Sequence, residues 1–161
     1  MRRVLAGAAG ALVAEGLLIV IVVGLGGAPV NADAKPSALE TRLFGMALRA
    51  SVARNVAADA DPLPPSPDDL TAGAEIYDDM CARCHGARAG GANALATAFY
   101  PPAPLLPGHR STYREVEILS IIKHGIRNTA MPAWGRLLSD DDIRQVAALV
   151  KRFDGPSAQA E

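Results

Sequence analysis

Two cysteines and a histidine stand together in Cys81-Ala82-Arg83-Cys84-His85. These are the only cysteines in the 161-residue chain, so no second pair is left for a structural disulfide. A C-x-x-C-H run fits covalent attachment of one haem. Two thiols at this spacing can reach the two vinyl groups of one porphyrin as thioethers, and the adjacent imidazole can then face the iron. Two other chemistries compete. A redox C-x-x-C does not require His85 and usually sits in a βαβ setting, for which no alternating strand pattern exists here. A zinc site wants four ligands, and no further Cys or Cys/His pair stands at the usual spacing. The pattern favours a single haem c.

A closed haem iron needs a second axial ligand from Met or His. Met131 is the leading candidate. It lies in the loop Asn128-Thr129-Ala130-Met131-Pro132, where it can approach the face opposite His85, and Pro132 fixes the chain just after it. Met46 lies far upstream, and Met80 is tethered beside the attachment motif. His109 and His124 are the alternatives, although His124 also suits the last turn of a helix, where positive charge is favoured.

Three helices must position these groups. The first opens at Ser66-Pro67-Asp68-Asp69, with serine as N-cap, proline at N1 and an acid at N3, and runs toward Cys81. The second is expected from Thr112 as N-cap, with Glu115 at N3, to about His124, where Gly125 supplies the stop. The third opens at Ser139-Asp140-Asp141-Asp142, carries the apolar stripe Ile143, Val146, Ala147, Val150 and Phe153, and ends at Gly155-Pro156. Leu105, Leu106, Ile118, Ile121, Ile122, Trp134 and Leu138 are candidate walls of an apolar pocket. With no strand pattern and no internal repeat, the domain over residues 66–155 is expected to be all-α, followed by a short tail, 156–161.

The N-terminal part differs in character. Arg2-Arg3 precedes an apolar run, residues 4–30, in which Glu15 is the only charge. As a helix it would reach about 40 Å, enough for a single span with the N-terminus inside. A cleaved leader is the alternative, with residues 16–27 as its apolar core and Ala32-Asp33-Ala34 as the cleavage site. Either reading puts the remainder outside the cytoplasm. Residues 31–65 read as a stalk. Leu39, Leu43, Met46, Ala47 and Ala50 recur at helical spacing over residues 37–55, with Arg42, Arg49 and Arg54 adding charge. Such a helix could lie on anionic headgroups, pack on its own domain or grip a partner protein; the partner protein is the expectation. A proline-rich linker, residues 59–67, closes the stalk. The net charge of −1 gives no field that would draw the chain to nucleic acid.

Residues 71–153 resemble a class I cytochrome c domain. The resemblance rests on Gly73 and Tyr77 ahead of Cys-Ala-Arg-Cys-His-Gly (81–86), then Lys123-His124-Gly125, Met131-Pro132-Ala133-Trp134 and Leu138-Ser139-Asp140. It is similar to the domains of cbb3-type oxidase haem subunits and of periplasmic dehydrogenase cytochromes. The resemblance implies Met131 as distal ligand. It also implies a crossing of the first and last helices at Gly73 and Tyr77 with Phe153 opposite, and a prolyl carbonyl, of Pro102 or Pro104, accepting from His85. The function this implies is one-electron transfer rather than enzymatic bond chemistry. The expected setting is the bacterial cytoplasmic membrane, haem domain on the periplasmic side, with a membrane-bound oxidoreductase or other redox protein as partner. Arg127 and Arg136 flank the Met131 loop and make a basic docking face possible. A haem sensor or peroxidase-like protein with an openable sixth site, or mainly an assembly subunit, are the alternatives.

Overall fold

The computed structural model describes residues 2–27, 31, 33–56, 64–90, 93–109 and 111–153. Every regular element among them is helical, which bears out the all-α expectation. The chain divides into two units at Ala34/Lys35.

The first unit contains α1 (Arg2–Gly24). Its end is chemically defined. Gly26 adopts φ +80°, Gly26 N–H donates to the Val23 carbonyl at 3.0 Å, and Gly27 N–H donates to the Val22 carbonyl at 2.8 Å. This paired closure terminates a helix through a left-handed glycine, so α1 stops short of residue 30. Among the described residues no helix is long and apolar enough to cross a membrane. The expected span over residues 4–30 is corrected accordingly. Small Ala and Gly residues dominate α1 up to Gly16, Glu15 interrupts it, and the strongly apolar run is confined to residues 17–23.

The second unit carries the remaining helices: α2 (Ala38–Asn55), α3 (Pro67–Ile76), α4 (Ala82–His85), α5 (Glu115–His124) and α6 (Asp140–Arg152). Ser37 caps α2, its hydroxyl accepting from Glu40 N–H at 3.1 Å. Reciprocal capping boxes open α3 (Ser66 with Asp69) and α6 (Ser139 with Asp142), as the sequence predicts. The start of α5 differs from expectation. Arg114, not Thr112, is the N-cap, and the N3 acid is Glu117, whose carboxylate accepts from Arg114 N–H at 2.7 Å. Ser111 Oγ meanwhile accepts from Tyr113 N–H at 3.2 Å, and Tyr113 packs on the core, so the chain stays non-helical through that point. The expected stop at Gly155-Pro156, the tail 156–161 and most of the proline-rich linker lie outside the described residues.

The core is a crossing of α3 over α6, with α5 against α6. Tyr77, Ile143, Val146 and Ala147 are fully covered, and Ile118, Ile122, Val150 and Phe153 complete the cluster. At the crossing, a Cβ on Gly73 would sit 2.5 Å from the Gln145 carbonyl oxygen, so only glycine lets the two backbones approach this closely. Tyr77 and Phe153 meet edge to face, with ring centroids 5.0 Å apart. Asp69 fastens the other end of the crossing, accepting from Arg144 at 2.9 Å and Gln145 at 3.2 Å. α2 packs against α5 within this unit: Val52 is buried, and the Arg49 guanidinium lies 5.6 Å from the Tyr113 ring centroid.

Candidate functional site

The attachment motif is delivered by a change of helical pitch. After Ile76 the chain enters a π-helical turn, Tyr77–Cys81, closed by Ala82 N–H donating to the Tyr77 carbonyl. Wide turns of this kind recur at functional sites, and they rotate the next turn of the chain out of the α register. The turn rotated here is α4, which carries Cys84 and His85. Gly86 then leaves the helix at φ +90°. Nothing in the residue pattern signals the wide turn.

Four contacts fix the end of the motif. The Tyr77 hydroxyl donates to the Gly86 carbonyl at 2.8 Å and leans on the His85 carbonyl at 3.3 Å. Burial, with help from Cys81 and Asp78, pushes the Tyr77 phenol well above its usual pKa, so it stays a donor. Leu106 N–H donates to the same His85 carbonyl at 3.0 Å, and Asn93 Nδ2 donates to the Arg83 carbonyl at 2.7 Å. Beside them, Arg88 makes a two-pronged ion pair with Asp78, its shortest contact 2.7 Å, joining the residues before and after the motif.

His85 is oriented by its own ring. Nδ1 lies 2.9 Å from the Pro104 carbonyl oxygen. A carbonyl can only accept, so Nδ1 carries a proton, and Nε2 is the nitrogen left to serve as a ligand. Of the two prolines the resemblance implied, Pro104 makes this bond. Both cysteine thiols are half-buried and unpaired with each other. Burial, with Cys84 nearby, pushes the Cys81 thiol up to about 11.

Met131 is half-buried and packs on the margin of the core with Leu106, Trp134 and Leu138. Its loop is closed by Ile126 N–H donating to the Met131 carbonyl at 3.2 Å and by Thr129 Oγ1 accepting from Met131 N–H at 3.0 Å. Gly125, at φ +65°, passes so near Pro132 that a Cβ would meet its carbonyl at 2.6 Å. His109 and His124, the other candidate ligands, are exposed, as are Met46 and Met80. Of the expected pocket walls, Ile118 and Ile122 belong to the buried cluster, and Leu105, Ile121, Leu106, Trp134 and Leu138 are half-covered. Arg127 and Arg136 are exposed, and Arg136 lines a shallow concavity with Lys123, His124, Ala133 and Gly135.

The motif's own donors fit a haem: two thiols three residues apart and an imidazole held through Nδ1, beside a half-covered apolar margin. A zinc reading is not supported, since among the described residues no three His, Cys, Asp or Glu side chains converge. Residues 68–150 match the family model for cytochrome c oxidase, cbb3-type, subunit III. The chain belongs to this family. It is 32% identical over 92 residues to the cbb3-type cytochrome c oxidase subunit FixP of Rhizobium meliloti (strain 1021), covering 57% of this chain and 30% of that protein. It is 35% identical over 86 residues to cytochrome c6 of Picosynechococcus sp. (strain ATCC 27264 / PCC 7002 / PR-6), covering 51% of this chain and 71% of that one. The chain thus spans under a third of FixP and most of the small cytochrome. A solved structure, the Kuenenia stuttgartiensis reducing HAO-like protein complex Kustc0457/Kustc0458, shares the fold, with TM-score 0.51 and 23% identity, covering 62% of this chain and 50% of that one. The chain is a class I c-type cytochrome with covalent haem c.

Proposed function

We propose that this protein is a one-electron carrier whose haem would be held through thioethers at Cys81 and Cys84, with His85 and Met131 as the iron ligands. The observation that carries the reading is the His85–Pro104 bond, which leaves Nε2 for coordination beside the two thiols of the motif. The haem supplies a reversible Fe(III)/Fe(II) couple, and His/Met ligation with an apolar surround raises its potential. The chain's own residues hold geometry. Tyr77 and Leu106 pin the His85 carbonyl, Pro104 fixes the ring, and the hydrogen-bonded loop around Met131 keeps the sulfur from wandering. Little has to reorganise when the charge on the iron changes.

The basic Arg2-Arg3 and the apolar α1 direct the chain to the membrane, with the haem domain on the periplasmic side. N-terminal sequencing of the mature protein separates a leader removed near Ala34 from a retained helix. The electron partner is a membrane-bound oxidoreductase or another redox protein. The exposed Arg127 and Arg136 beside the Met131 loop favour an acidic docking face on it.

Met131→Ala tests the ligation. The potential is expected to fall, the weak far-red charge-transfer band of the oxidised protein to vanish, and the reduced protein to bind carbon monoxide. An unchanged spectrum and potential would assign the sixth position elsewhere.

A further inference from the structure

α2 meets the domain along one side only, and even there Phe44, between Glu40 and Leu48, is 57% exposed. Leu48 and Val52, one turn apart, face inward. Glu40, the only acid in α2, also turns inward, where it interacts with the Tyr100 hydroxyl on the loop that carries Pro104. The opposite face is a stripe at spacings of four, three and four: Leu39, Leu43, Met46 and Ala50. Leu39 is 66% exposed, Leu43 51% and Met46 52%, so the large side chains of this stripe stand out from the domain rather than filling it. At 3.6 residues per turn, Arg42 and Arg49 run along one edge of the stripe and Arg54 along the other. Arg42 and Arg54 are exposed, and Arg49 stacks on Tyr113.

We infer that the outward face of α2 lies on an anionic lipid surface. An apolar stripe edged by arginines is what an interfacial helix needs: the apolar side chains enter the acyl boundary while the guanidinium groups stay at headgroup level. Charge complementarity selects the occupant. The stripe and its edges contain no carboxylate, and each basic group near an anionic membrane adds to the attraction. A protein partner would require no such positive rim on both sides. Because the inner face of α2 is packed on α5 and touches the Pro104 loop, lipid contact would also orient the haem domain relative to the membrane plane. Lipid contact of this kind is independent of which protein exchanges electrons with the haem, and of whether α1 is retained.

The test uses the full-length haem-loaded chain, in which Cys81 and Cys84 are consumed, with a nitroxide on a single introduced cysteine. Ala50→Cys reports from the stripe, and Gly45→Cys from exposed surface well off it. On vesicles of phosphatidylglycerol and phosphatidylcholine, the label at 50 is expected to collide more with oxygen than with a water-soluble nickel chelate, and the label at 45 the reverse. The contrast should fade on pure phosphatidylcholine, at high salt, and in Leu39→Ser/Leu43→Ser/Met46→Ser with haem content intact. Equal water access for both labels on anionic vesicles overturns the inference. A label at 50 that is wet on vesicles yet immobilised by a co-purifying protein in native membranes also overturns it, and assigns the face to that protein.

Discussion

Gly73→Ala probes the crossing on which the attachment motif is built. The added methyl would lie 2.5 Å from the Gln145 carbonyl oxygen, 2.8 Å from its carbon and 3.2 Å from Val146 N. Favourable contacts with a carbon begin near ~3.5 Å, so α3 and α6 must separate by roughly 1 Å. All three obstructing atoms are backbone, so no side chain can swing aside. Overpacking of this kind costs about 1–3 kcal/mol, and a backbone clash belongs at the upper end. Alanine returns about 1 kcal/mol through its helix propensity. The net loss is about 2 kcal/mol, or a fall in Tm of roughly 8–16 °C for a domain of this size. Thermal melts of the haem-loaded protein followed by far-ultraviolet circular dichroism measure it. A variant as stable as the parent, or more so, would refute the close crossing.

Tyr77→Phe keeps the edge-to-face contact with Phe153 but leaves the Gly86 carbonyl without its 2.8 Å donor. A loss of about 1–2 kcal/mol in chemical denaturation is expected, and no loss would show that the hydroxyl does not brace the motif. Asp69 is expected to contribute to the acid limb of stability. The Arg144 guanidinium, then Ser66 and Gln145, hold its carboxyl well below the usual range. Its contribution is therefore complete above the unfolded carboxylate pKa of about 3.9 and is lost as pH falls below that value. Tm should be level from neutrality to about pH 5 and drop below about pH 4, and Asp69→Asn should flatten that drop. An acid limb identical in the variant would show that Asp69 does not set it.

What the residue pattern reveals and what it hides divide along physical lines. Ser66 with Asp69 and Ser139 with Asp142 are local devices, complete within four residues, and they cap helices where the sequence places them. The pairing of Gly73 and Tyr77 with the last helix is legible only through resemblance, and the structure shows it in atomic contacts. Features hidden from the sequence depend on distance or pitch. Asp69 meets Arg144 across 75 positions, which no local rule anticipates. The π turn at Tyr77–Cys81 carries no residue-type signature that separates it from an α turn. The start of α5 is ambiguous in sequence because two acids, Glu115 and Glu117, offer rival N3 positions, and Tyr113 packing decides between them. In α1, apolar length suggests a span, while the paired glycines Gly26 and Gly27 close the helix early.

Covalent haem at Cys81 and Cys84, with His85 as a ligand to its iron, is the central claim. Its most direct test is extraction of the purified, denatured protein with acidified organic solvent, in the parent chain and in Cys81→Ala/Cys84→Ala. Haem is predicted to stay with the parent polypeptide, proteolysis to yield one haem-bearing peptide spanning residues 81–85, and the double variant to give up whatever haem it binds. Haem that passes into the solvent from the parent chain, or a haem-bearing peptide lacking those residues, would contradict it.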